Sequence, residues 1–198
     1  EVIPEESVVG DSQSNGYAEG VVKIVQGLVR TQTDALEGRY EVKMPKDSVV
    51  FPWLVRHSAN CYNRYLVGAD GRTPLERLKG KKFAKEVVDF GECVWYLKLN
   101  SKGVNKYESR WARGVWLGVL ERSNEVIIGT PGGIVKSRTV RRHAEHSERW
   151  NGEDFFAIRG TPWEPVPGRG DNEIKPNVHI PTEEIMARQE EGEDKLRQ

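Results

Sequence analysis

Apolar residues recur at helical spacing near the start of the chain, at Ala18, Val21, Val22, Val25, Leu28, Val29 and Ala35, and Ser12–Asn15 offers N-cap chemistry before them. The pattern predicts a helix over about 15–37, with Glu19, Lys23, Gln26 and Arg30 on its polar side. Ser48–Tyr65 predicts a second helix, with Phe51, Leu54, Val55, Ala59 and Tyr62 on one face and Pro52 in its first turn. Thr73-Pro74-Leu75-Glu76 combines an N-cap, a proline at N1 and a glutamate at N3, which predicts a short helix over about 73–80 ending near Gly80.

From Phe90 the periodicity shortens. Runs at Cys93–Leu97, Gly114–Leu120, Glu125–Thr130 and Ile134–Val140 are β-prone, separated by turn residues such as Pro131-Gly132-Gly133. Strands at this spacing predict a small antiparallel β-barrel. Neither face of Ile134–Arg142 is cleanly apolar, which places that strand at an edge or rim. Gly160–Gly168 reads as linker, and Thr182–Arg197 is acidic with weak helical potential. The expected fold is therefore α+β: a helical part over 1–89, a small basic β-barrel over 90–150, and a linker with an acidic tail over 151–198.

Charge adds to this picture only when it is divided by position. Thirty basic residues balance thirty acidic ones. Residues 98–143, however, hold ten basic against three acidic side chains, whereas 144–198 hold seven against thirteen. A basic β-region between neutral and acidic neighbours points to an anionic partner, nucleic acid first. Within it, basic residues alternate with aromatics: Lys106 beside Tyr107, Arg110 beside Trp111, then Arg113 and Trp116, followed by Lys136, Arg138, Arg141 and Arg142. Such interleaving suits the nucleic-acid backbone. Trp111 and Trp116 fall on opposite faces of a regular strand, and Trp116 beside Leu117 reads as core.

Two cysteines, Cys61 and Cys93, form no CxxC pair and read as buried thiols in a reducing compartment. No apolar run approaches the roughly 20 residues of a membrane span, and no signal-peptide pattern opens the chain, so an intracellular, non-secreted protein is expected, nuclear or in a cytoplasmic particle. His57 with Cys61 on the second helix reads as core rather than chemistry. His143 with His146 lacks the second ligand pair that a zinc site needs. The Glu-Val-Ile-Pro opening fits a piece of a longer polyprotein.

Three segments, taken in order, resemble one family. Ser14-Asn15-Gly16-Tyr17-Ala18-Glu19 resembles the Gln-Asn-Gly-Val-Ala-Glu-Arg motif of copia-type retrotransposon integrases. Asn63-Arg64, Asp70-Gly71-Arg72-Thr73-Pro74-Leu75-Glu76 and Gly80-Lys81-Lys82 resemble their Asn-Arg, Lys-Thr-Pro-Tyr-Glu and Gly-Lys-Lys-Pro stretch. Phe90-Gly91-Glu92-Cys93-Val94-Trp95 and Gly114-Val115-Trp116-Leu117-Gly118 resemble their Phe-Gly-Cys-x-Val-Tyr and Gly-x-Phe-Leu-Gly-Tyr.

The resemblance implies the end of an RNase H-like catalytic core followed by a DNA-binding barrel of the Src-homology-3 type. It makes Glu19 the last of three carboxylates holding a pair of Mg or Mn ions for in-line phosphoryl transfer. Lys23, Arg30 and the basic set of the β-region become DNA contacts. Element ends and target DNA become the partners, with a homo-oligomer in the complete integrase. The two aspartates of that site lie upstream of this chain in the family, and Asp11, eight residues before Glu19, does not replace them. The chain alone is expected to lack strand transfer.

The family's arginine after the glutamate is Gly20 here. Three readings stay open beside this one. Glu19 and Lys23 can be a simple i,i+4 pair at a helix start. The chain can also be a non-catalytic nucleic-acid or protein interaction module, from a decayed or host-recruited element, or a structural unit with a solvated charged face.

Overall fold

A computed structural model describes residues 16–84, 88–99 and 109–177. The chain divides into two compact units, 1–86 and 87–198. The fold is mixed α+β.

The first unit holds three helices: α1 (Gly16–Tyr40), α2 (Val50–Tyr65) and α3 (Pro74–Lys79). α2 is amphipathic, and its inner stripe of Val50, Trp53, Leu54 and Ser58 is buried, with Trp53, Leu54 and Ser58 fully so. Full burial of each large apolar side chain contributes about 1.5–3 kcal/mol, which makes this stripe the anchor of the unit. α1 meets it through Leu36 and Gln32, the Gln32 amide accepting from Ser58 Oγ at 3.0 Å. α3 is set by its caps. Thr73 Oγ1 accepts from Glu76 N, Glu76 Oε2 accepts from Thr73 N, and Gly80 ends the helix at φ 70°. Arg64 is buried, with its guanidinium 4.3 Å from the Phe83 ring.

The second unit is a five-stranded antiparallel sheet: β1 (Cys93–Leu97), β2 (Trp111–Val119), β3 (Val126–Thr130), β4 (Gly133–Ser137) and β5 (Val140–Arg142), in the order β4-β3-β2-β1-β5. The stretch read as one strand over Ile134–Val140 is two. They lie at opposite ends of the strand order, because Arg138-Thr139 breaks the run and Thr139 turns its carbonyl to Leu97 N, 3.1 Å away. In a flat sheet β4 and β5 would stand four spacings apart, roughly 19 Å. Two intervening residues reach at most about 11 Å. The sheet is therefore strongly curled, with a bulge in β2 between Trp116 and Gly118, where Gly118 takes φ 128°.

Partner residues across a ladder share a face, so register sorts the side chains. Val94, Tyr96, Trp116 and Ile128 lie inside the curl and are buried. Trp95, Arg113, Val115 and Gly129 lie on the outer face. One end of that face is covered by the chain after β5, where α4 (His146–Arg149) and α5 (Gly152–Phe156) bring in buried Phe155 and then Ile158, the latter against Gly129.

The segment read as linker is also packed. Pro165 is fully buried, its carbonyl accepts from Ile134 N at 2.7 Å, and Gly160 passes so close to it that no side chain fits. Its prolines and glycines serve a tight path over the sheet rather than a flexible spacer. The acidic tail lies outside the described residues. Among the described residues no helix is long and apolar enough to cross a membrane.

Candidate nucleic-acid interface

Among the described residues no element covers one half of the outer face of the curled sheet, and tryptophan and arginine gather there. Trp95 pairs across β1–β2 with Arg113 and across β1–β5 with Arg141, so three strands place these side chains in one row. Trp111, two residues before Arg113, shares the face. The Arg141 guanidinium lies 4.6 Å from the Trp111 ring centroid, and Trp95, Ser109, Trp111 and Arg141 line a shallow cavity of about 300 Å³. Beneath it the Trp95 ring rests 5.0 Å from the His143 ring and 6.0 Å from the Arg113 guanidinium. His143 is buried and its Nε2 has no hydrogen-bond partner among the described residues. Burial pulls its pKa below the ordinary imidazole value.

The structure divides the basic residues singled out in the sequence. Arg113 is held internally, its NH1 2.9 Å from Glu148 and its NH2 2.9 Å from Asp154, which ties the sheet to α4 and α5. Arg142 donates from Nε and NH2, both at 2.7 Å, to Glu92, whose side chain is wholly buried. Arg149 Nε stands 3.9 Å from the same carboxylate. A buried carboxylate requires such a partner, so Arg142 belongs to the packing of β1 against β5 rather than to a ligand surface. Lys136 and Arg138 share Glu125 at 3.6 and 3.7 Å, and Arg138 remains 85% exposed. Arg110 is exposed at the start of β2, and Lys106 lies outside the described residues. Among the described residues of the β-region set, Arg141 alone sits in the cavity. Trp95 is the participant that sequence reasoning did not single out, because its partner Arg141 is 46 residues away and meets it only through strand register.

Comparison with protein-family models, with curated proteins and with solved structures returns no match.

In the first unit Glu19, Lys23 and Arg30 lie exposed along α1, with Glu19 in its first turn. Among the described residues no group of three His, Cys, Asp or Glu is placed to hold a metal ion. The described donor set does not fit a two-metal site, and no chemical step follows from Glu19 alone. The other reactive-looking pair is Cys61 with His57, 3.2 Å apart. Burial raises the thiol pKa and lowers that of His57 to about 4. Both shifts favour neutral forms, the reverse of an activated thiolate and imidazolium. These side chains, with Gln32 and Ser58, are a polar seam between α1 and α2.

Proposed function

We propose that the chain is the C-terminal part of a copia-type retrotransposon integrase and that its β-unit binds nucleic acid. In this reading α1–α3 are the helical end of an RNase H-like core, Glu19 is one of three ligands to Mg or Mn, and the other two carboxylates lie upstream. The β-unit is a barrel of the Src-homology-3 type, a reading supported by the strand order with β5 returning beside β1, and by the curl that the short β4–β5 link demands. The observation that carries the binding role is the uncovered face, where Arg141 and two tryptophans meet in a region rich in basic residues. The complete integrase would engage element ends and target DNA, as a homo-oligomer.

The test is fluorescence anisotropy of the whole chain with a labelled duplex across salt concentrations. Three phosphate contacts give an affinity that falls about 40-fold between 50 and 200 mM salt. Glu19→Gln leaves binding unchanged, and the triple substitution Arg110→Ala, Arg138→Ala, Arg141→Ala abolishes most of it. Absence of binding at low salt overturns the proposal and leaves the charges as a solvated face. Metal-dependent end-joining by the chain alone would overturn the placement of two of the three carboxylates outside it.

A further inference from the structure

We infer that the Trp95–Trp111–Arg141 cavity takes an unpaired nucleotide of a DNA strand, by stacking its base and pairing its phosphate. This rests on the nucleic-acid reading above and narrows it. Charge alone would suffice for duplex backbone, whose bases are stacked on one another and offer no ring face. Two indoles kept partly open to solvent, Trp95 at 36%, are an apolar expense that phosphate contacts do not require. A single strand supplies both missing partners at once, a flat base for the rings and a phosphate for the guanidinium.

The arrangement also selects against other flat-surface ligands. The Arg141 guanidinium stands 4.6 Å from the Trp111 ring and that of Arg113 6.0 Å from the Trp95 ring, so a cationic ligand such as a methylated lysine would meet like charge. The Trp95 ring is supported from beneath by the buried His143 ring, which holds it as a fixed platform.

The experiment compares three labelled ligands with the whole chain: a twelve-residue thymidine strand, a strand of equal length and charge made of abasic sites, and a twelve-base-pair duplex. Stacking of one base predicts that the thymidine strand binds about 5- to 150-fold more tightly than the abasic one, with tryptophan fluorescence quenched. Trp111→Ala removes that difference, and Trp111→Phe, which keeps an aromatic face and controls for folding, preserves much of it. Equal binding of the thymidine and abasic strands overturns the stacking inference, while duplex binding in the same assay keeps the nucleic-acid reading intact. If none of the three ligands binds, both fall together.

Discussion

Arg142 offers the sharpest test, because sequence makes it a DNA contact and the structure makes it a structural residue. Its guanidinium grips the Glu92 carboxylate with two 2.7 Å hydrogen bonds, and the Glu92 side chain has no exposure at all. Removing one member of a buried pair leaves an uncompensated charge and costs roughly 3–5 kcal/mol. Since 36% of the Arg142 side chain meets solvent and Arg149 stands near the same carboxylate, we take the lower end, about 3 kcal/mol. Arg142→Ala should therefore lower the urea midpoint of the β-unit by roughly 1–3 M, read by tryptophan fluorescence. Adding Glu92→Gln should return part of the loss, because a buried amide is less costly than an unpaired carboxylate. A midpoint within about 0.3 M of the parent would refute the argument. So would a normally folded Arg142→Ala protein that has lost its duplex affinity, since that outcome restores the residue to the binding surface.

Two further predictions address parts of the chain away from this pair. His57 titrates near 4 when folded and near 6.5 when unfolded, so between those values the unfolded chain binds more protons. Stability of the helical unit should rise with pH through that window and fall by up to about 3 kcal/mol on acidification, and His57→Gln should flatten the profile. Gly160 takes φ 93°, and a Cβ there would stand 2.1 Å from the Pro165 carbonyl oxygen. Gly160→Ala should cost roughly 2–4 kcal/mol, whereas Gly168→Ala, with φ 81° but open space, should cost about 1–2 kcal/mol. Equal thermal shifts for the two would contradict the packed path drawn for this segment.

Local chemistry was legible in the sequence wherever a single element contained its own reasons. The capping box at Thr73 and Glu76 and the bounds of β1 each lie within one stretch of chain. The second helix was legible too, but its buried face was not: Phe51 and Val55, expected on it, are exposed, and the inner stripe is Val50, Trp53, Leu54 and Ser58. The first helix continues past its expected end to Tyr40, because Gly38 is tolerated within it without any contact that forbids the helix. What pattern could not supply was pairing between distant strands. The division of Ile134–Arg142 into two edge strands, the consumption of Arg113 and Arg142 by Asp154 and Glu92, and the row that joins Trp95 to Arg141 all depend on register. Composition also misled at 160–168, where proline and glycine serve close packing under steric constraint.

The carbonyls that meet β4 have a consequence for how this unit associates with others. Ile134 N–H donates to Pro165 and Lys136 N–H to Lys175, so the outward donors of that edge are spent within the same chain. The opposite edge, β5, is three residues long. Among the described residues an incoming strand therefore finds little ladder to extend at either margin, which disfavours fibre-like growth by strand addition. Recognition at this sheet then falls to side chains, to the aromatic and charged surface rather than to the backbone of its edges.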